Sequence, residues 1–148
     1  MVQQTVLPIK DSNVLKMVQD TLLDIFRAGR RNYTIFQVGK ATLLRVSDVM
    51  TLKKSDVFNP DGSAKSTAFI HDKKTGKANT LYLKPVQQDL MLYHAWLIQQ
   101  NMNSEWLFPS TSRPDRPITE KQFYKIMAHV GDLLNIKGTS NNYQLIHL

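Results

Sequence analysis

Apolar side chains in the first forty residues recur every three or four positions, which is the spacing of one face of an α-helix. The first run lies between a capping Asp11 or Ser12 and Gly29, a residue type that commonly ends helices. A second run, capped by Asn32, extends to about Ala41. The N-terminal part of the chain is therefore predicted to be helical.

The pattern changes in the middle of the chain, where β-branched and aromatic residues become frequent. A short third helix over 48–53, capped by Ser47, leads into this part. Strands are predicted at 55–58, 67–71 and 79–83, and the glycine-containing loop between the last two makes them a hairpin. These three strands form a small antiparallel sheet in the predicted fold.

Helical spacing returns in the last third of the chain. Pro85 lies where a helix to about Asn101 begins, and Thr119 with Gln122 forms a capping box for a last helix. Between these helices, the apolar WLFP segment at 106–109 is predicted to anchor a basic, proline-rich loop. The last helix would then pack on the domain core through its apolar face.

Helices, a small sheet and further helices, in that order, are typical of an α+β fold. We predict a mainly helical single domain over 11–136 with a three-stranded antiparallel sheet. The segment at 1–10 is predicted to be a linker or tail, and that at 137–148 an irregular C-terminal tail.

Composition excludes several classes of protein. The 148 residues contain no cysteine, so neither a disulfide framework nor a thiolate zinc site is possible. The N-terminus lacks the order of a signal peptide, and no apolar run approaches the roughly 18 residues of a membrane helix. We therefore expect a cytoplasmic protein with no membrane partner.

Positive charge is in excess, with 19 Lys and Arg against 12 Asp and Glu and a net charge of +7. Such an excess favours nucleic acid as a partner, although plain solubility is the other interpretation. Lys73, Lys74 and Lys77 crowd the tip of the predicted hairpin, where they could reach a nucleic-acid groove or backbone. A second cluster, near the second helix, contains Lys40 and the pair at 30–31. We predict DNA contacts at Lys73, Lys77 and Lys40.

Other chemistry has little support in the sequence. The four histidines show neither HxxxH nor HExxH spacing, so no metal site is predicted. The chain contains no GxxxxGK[ST] and no GxGxxG, the glycine-rich patterns that bind nucleotides. No small-molecule cofactor is expected.

One arginine, Arg45, lies among apolar residues in the stretch TLLRVSDVMTLKKSDV at 42–57. On a helical wheel Arg45 and Asp48 share the polar side, so an ordinary surface ion pair satisfies the local pattern. The other interpretation is an arginine that holds an anion. The local pattern leaves both interpretations open.

Three stretches, taken in order, resemble the catalytic domain of the tyrosine recombinases, the phage integrase family. TLLRVSDVMTLKKSDV is similar to the family's first box, in which an arginine precedes a serine-capped helix containing an acidic residue. AFIHDKKTGKANTLYLKP is similar to its second and third strands with their lysine-bearing hairpin. WLFPSTSRPDRPITEKQFYKIM is similar to the Phe-Pro anchor, loop and helix that lead toward the second box. The resemblance covers about 11–136 and implies an incomplete tyrosine-recombinase catalytic fold.

The resemblance implies roles for individual residues. Arg45 matches the first active-site arginine, which holds the scissile phosphate, and Asp48 matches its acidic structural partner. Lys74 matches the lysine that protonates the leaving 5′ oxygen, with Lys73 beside it as the alternative. Arginine suits its role because its planar fork meets two phosphate oxygens at once, and a lysine can donate a proton. The implied partners are double-stranded DNA and other recombinase protomers in a synaptic complex, without metal or nucleotide cofactor.

The sequence departs from the family pattern at three points. Leu43 occupies a position where the family usually has glycine. No His-x-x-Arg, the family's second box, occurs in the chain: His147 is followed only by Leu148, and Tyr143 lies too early to match the nucleophile. No match to the family's N-terminal DNA-grasping domain is expected within these 148 residues. We therefore expect a truncated catalytic domain that is inactive as it stands.

The leading hypothesis is a DNA-binding fragment of a site-specific recombinase whose parent cuts and rejoins DNA through a phosphotyrosine link. The alternative is a non-catalytic DNA-binding or interaction module that reuses the same scaffold. A basic protein of unrelated function is the third interpretation.

Overall fold

The computed structural model describes residues 11–72 and 74–135. The predicted tails at 1–10 and 137–148, together with Lys73, lie outside the described residues. Along the described part the elements are, in order, α1 (Ser12–Ile25), α2 (Gly29–Thr42), α3 (Val46–Met50), α4 (Lys54–Val57), β1 (Thr67–His71), β2 (Ala78–Tyr82), a 3-10 turn (Lys84–Val86), α5 (Gln87–Gln99) and α6 (Glu120–Leu134).

The first two helices form as a closely joined pair. Asp11 caps α1, as predicted, because its carboxylate accepts the N–H of Asn13 at 2.8 Å. Gly29 begins α2 instead of ending α1, and a Cβ there would collide with the carbonyl oxygen of Leu23. Glycine therefore lets the start of α2 lie against the end of α1. The predicted cap at Asn32 is wrong, since Asn32 lies inside α2 and is 1% exposed.

The predicted strand at 55–58 is wrong, because these residues belong to the helical turn α4 and the residue after it. The carboxylate of Asp56 accepts the N–H of Lys53 at 2.8 Å, and the N–H of Phe58 donates to the carbonyl of Lys54 at 2.8 Å. A side chain that caps a local turn has here overridden the strand preference of the neighbouring residues. In the described part of the chain the sheet has two strands instead of the predicted three.

The predicted hairpin is confirmed. Strands β1 and β2 are antiparallel, and their register runs from Thr67 opposite Tyr82 to His71 opposite Ala78. Since side chains alternate between the two faces of a strand, one face buries Ala68 and the other leaves Phe69 76% exposed. The hairpin thus packs on the core by one face and projects its loop.

Helix α2 lies at the centre of the fold and contacts α1, α3, α5 and β2. Ile35, Phe36 and Val38 of this helix are almost fully buried. The predicted WLFP anchor is confirmed, because Leu107 and Phe108 have no exposed surface. These packed helices and the hairpin confirm the α+β class.

Two predicted helix starts can be compared with the structure. The hydroxyl of Thr119 accepts the N–H of Gln122 at 3.1 Å and caps α6, as expected. The third helix begins two residues earlier than predicted, with Arg45 instead of Ser47 at the cap, and it ends at Met50. No helix among the described residues is long and apolar enough to cross a membrane.

Candidate functional site

The turn that ends α2 positions Arg45. Leu43 adopts a left-handed backbone conformation, with φ 59° and ψ 22°, and its N–H donates to the carbonyl of Gly39 at 2.9 Å. This is the αL helix ending that glycine usually makes, because an L side chain is strained there. The turn expected to need glycine is therefore made with leucine, whose side chain is 77% exposed. Arg45 follows two residues later, at the start of α3.

Arg45 contacts two carboxylates. Its Nε donates to Asp48 Oδ2 at 3.0 Å, and its Nη2 lies 3.3 Å and 3.2 Å from the two carboxylate oxygens of Asp72. The side chain of Arg45 is 50% exposed, whereas that of Asp48 is only 9% exposed. The contact with Asp48 therefore fixes the orientation of the guanidinium, while half of the Arg45 side chain remains exposed to solvent.

The charges of this group reinforce one another. The hydrogen bond and charge of Asp48, followed by the charge of Asp72, raise the pKa of Arg45 above its ordinary value. The N–H groups of Thr75 and Lys74, followed by the charge of Arg45, lower the pKa of Asp72. Arg45 and Asp72 are therefore both ionised at neutral pH.

Asp72 also organises the loop of the hairpin. Its Oδ1 accepts the N–H of Lys74 at 2.8 Å and that of Thr75 at 3.0 Å, and its carbonyl accepts the N–H of Gly76 at 2.7 Å. Gly76 supplies the positive φ, 73°, that this turn requires. The N–H of Asp72 donates to the carbonyl of Lys77 at 2.8 Å and closes the loop.

The structure therefore brings Arg45 and Lys74, which lie far apart in the sequence, to the same carboxylate. Arg45 Nη2 and the backbone N–H of Lys74 both contact Oδ1 of Asp72. Lys74 and Lys77 are both exposed on the loop, while Lys73 lies outside the described residues. The result is an exposed patch, formed by Arg45, Lys74 and Lys77, with one carboxylate at its centre.

Lys40, the other predicted DNA contact, is not joined to this patch. It lies in the last turn of α2 and is half-buried. Its neighbours include the apolar residues Ile35 and Phe123, which line a small pocket with it. No hydrogen bond or ion pair among the described residues connects Lys40 to Arg45.

Arg31 does not belong to a solvated basic cluster, because it is 5% exposed. Its Nε and Nη2 donate to Asn32 Oδ1 at 3.1 and 2.9 Å, and its Nη1 donates to the carbonyl of Pro109 at 3.1 Å. Burial lowers the pKa of Arg31. The spacing of Arg31 with Ile35 and Val38, on the buried face of α2, is the signal that could have shown this in advance.

The contact between Asp72 and Arg45 was not predicted from the sequence. It spans 27 positions and depends on the packing of α3 beside the hairpin. An aspartate before a Thr-Gly loop signals only a local turn. Only the tertiary structure shows that Asp72 contacts Arg45.

The arrangement can bind an anion. An exposed guanidinium with a loop of lysines beside it offers charge and hydrogen-bond donors suited to phosphate oxygens. Within residues 11–72 and 74–135, no group of three or more His, Asp or Glu side chains could hold a metal ion.

Comparisons with known proteins bear on the family and the fold of the chain. The model of the phage integrase family matches residues 10–145. A probable integrase/recombinase of Bacillus subtilis (strain 168), YoeC, is 29% identical over 113 residues, which are 76% of this chain and 58% of that protein. The crystal structure of the XerH site-specific recombinase, bound to its difH substrate before cleavage, aligns with a TM-score of 0.65 at 18% identity. That alignment covers 97% of this chain and 40% of the other, and it shows a shared fold.

Proposed function

Because the chain belongs to the phage integrase family, we propose that it forms a DNA-binding part of the catalytic domain of a site-specific tyrosine recombinase. The observation that carries the proposal is the meeting of Arg45 and Lys74 at Asp72. The family resemblance assigns phosphate binding to Arg45 and proton donation to Lys74. The contact brings the backbone of Lys74 close to Arg45, which supports the proposal that both side chains act on one phosphate.

In the proposed reaction of the whole recombinase, a tyrosine oxygen attacks a DNA phosphodiester. A phosphotyrosine bond forms and the bond from phosphorus to the 5′ oxygen breaks. Arg45 holds the phosphate, whose negative charge grows during the attack, and Lys74 gives its proton to the leaving 5′ oxygen. The ion pair with Asp48 keeps the guanidinium oriented toward the phosphate.

The wider contacts follow from the same proposal. Lys73, Lys77 and Lys40 bind the DNA backbone, and the partners are double-stranded DNA and other recombinase protomers in a synaptic complex. The proposed site of action is the cytoplasm. The chain spans 58% of the B. subtilis protein and 40% of the XerH chain, so recombination itself is proposed for the whole protein.

Binding to a duplex at a series of salt concentrations tests DNA recognition. For each phosphate contact, the logarithm of the affinity should fall with the logarithm of the salt concentration by a slope of about 0.9. Changing Lys73, Lys74 and Lys77 together to Ala should flatten that slope by up to about 2.7. A matched triple change of Lys16, Lys121 and Lys125 to Ala, on α1 and α6, should flatten it less. An equal effect of the two triple variants would argue against the hairpin.

A nicked duplex that traps the covalent intermediate tests the second part of the proposal. The 148 residues contain no His-x-x-Arg, so they offer one of the two arginines that the family uses on the phosphate. We expect these residues, tested by themselves, to form no covalent adduct. A stable protein–DNA adduct on a denaturing gel would contradict the proposed inactivity.

A further inference from the structure

The contact between Asp72 and Arg45 is unusual for an arginine that is to bind phosphate. A guanidinium meets an oxyanion best with two parallel N–H groups, and it has two edges that offer such a pair. One edge consists of Nε and Nη2, and the other of Nη1 and Nη2. Nη2 supplies one N–H to each edge, and in Arg45 this shared nitrogen already faces the carboxylate of Asp72 at 3.2 and 3.3 Å.

Asp48 takes the remaining donor of the first edge, since Nε donates to its Oδ2 at 3.0 Å. The two carboxylates differ in their surroundings. Asp48 is 9% exposed and lies on the same short helix as the arginine that it holds. Asp72 is 28% exposed and comes from the hairpin loop, so it can leave Arg45 without unpacking α3.

We propose that Asp72 is an internal competitor for the phosphate: it occupies the shared donor of Arg45 in the DNA-free protein and is displaced when a phosphodiester binds. This inference rests on the proposed function, because it assumes that Arg45 binds DNA phosphate. It adds a regulated site to that function. The occupied state is the ground state of the free protein, and binding begins with the loss of the Asp72 contact.

The same displacement would affect the lysine loop. Oδ1 of Asp72, one of the two oxygens near Arg45, also accepts the N–H groups of Lys74 and Thr75. When phosphate replaces the carboxylate at Arg45, the loop loses its tie to α3 while its own turn stays closed. Lys74 is thereby free to move toward the phosphate that displaced Asp72. Asp72 would act as a positioning residue that couples phosphate binding at Arg45 to the placement of Lys74.

Removing the charge of Asp72 while keeping its shape tests the inference. In Asp72→Asn, the amide oxygen can still accept the loop N–H groups, but its attraction for Arg45 is lost. We expect affinity for a duplex to rise about fivefold, the upper range for loss of an exposed ion pair.

Two controls separate competition from a general change in charge. Asp61→Asn removes an equal charge from another exposed aspartate whose carboxylate accepts a loop N–H, that of Ser63 at 2.9 Å, but which contacts no arginine. Asp72→Asn in an Arg45→Gln background removes the site of competition. The inference predicts a larger gain for Asp72→Asn than for Asp61→Asn, and no gain beyond that of Asp61→Asn when Arg45 is absent. Equal gains at the two positions, or a gain that persists without Arg45, would overturn it.

If the protein binds no DNA, that result refutes the proposed function but leaves the inference about Asp72 open. A second measurement then tests the inference. Inorganic phosphate can be titrated while the Nε–H signal of Arg45 is followed by NMR. That signal should respond at a lower phosphate concentration in Asp72→Asn than in the unchanged protein, and identical titrations would reject the competition. Should Asp72→Asn fail to fold, Asp72→Ser serves instead, because its hydroxyl can also accept a loop N–H.

Discussion

Two arginines near opposite ends of α2 illustrate different uses of the same side chain. Arg31, in the first turn, is 5% exposed and contacts only neutral oxygens, those of Asn32 and Pro109. Arg45, beyond the last turn, is 50% exposed at its side chain and contacts two carboxylates. This is the reverse of the usual rule, in which a buried charge is the one paired with a counter-charge.

The two arginines differ in the parts of the structure that their guanidinium groups contact. Arg31 joins α2 to the segment after Phe108, and its donors serve as a brace between two parts of the chain. Arg45 is held in place by Asp48 but keeps an outer side that a ligand can reach. Burial therefore assigns Arg31 to stability, whereas exposure with a fixed orientation is what the proposed binding role of Arg45 requires.

Arg31→Ala should produce the largest effect, and on stability. It removes three buried hydrogen bonds and leaves the oxygens of Asn32 and Pro109 without partners, which we expect to cost about 3 kcal/mol of unfolding free energy. Urea denaturation followed by circular dichroism measures this cost. The neighbouring Arg30→Ala is the matched control, because Arg30 lies over the ring of Tyr33 and braces no other segment. Similar losses of unfolding free energy for the two variants would show that Arg31 contributes no more to stability than an exposed arginine.

Arg45→Gln should act on binding and leave stability nearly unchanged. The variant loses the charged donors for phosphate, so affinity for duplex DNA should fall about tenfold, as expected for one charge-assisted contact. Thermal unfolding should shift little, because the pair with Asp72 is exposed and the amide of Gln can still donate an N–H to the buried carboxylate of Asp48. Arg45→Lys keeps the charge but lacks the two parallel N–H groups of a guanidinium, so it should recover only part of the affinity. A thermal shift as large as that of Arg31→Ala would show that Arg45 stabilises the fold as Arg31 does.

The elements that the sequence predicted well are those determined by local signals. The strands of the hairpin are correct to within one residue, because their β-rich runs enclose a Thr-Gly turn. The strand predicted at 55–58 failed where another local signal, the cap from Asp56, was stronger. Local patterns predict correctly only when the competing local interactions agree.

The site was only partly predictable for a different reason. Arg45 and Lys74 could be proposed from the stretches that contain them, and their roles remain predictions. The contact that joins them depends on Asp72, which is brought to Arg45 by tertiary packing and not by a sequence pattern. Arg31 was misread because its charge was considered before its position on the buried face of α2. Charge suggested a binding face, while helical spacing with Ile35 already indicated burial.

Asn32→Asp should produce the smallest effect, and it gives Arg31 the kind of partner that Arg45 already has. Asn32 Oδ1 already accepts two N–H groups of Arg31, so a carboxylate can take the same geometry. We expect a gain of about 1 kcal/mol at neutral pH, because the guanidinium is already buried without a counter-charge. Arg31 would depress the pKa of the new carboxyl in the folded state. The gain would therefore be complete above the unfolded pKa of about 4 and lost as the pH falls through the lower folded value. Urea denaturation at pH 7 and near pH 3 measures both parts, and a loss of stability at pH 7 would show that Arg31 is better served by neutral acceptors.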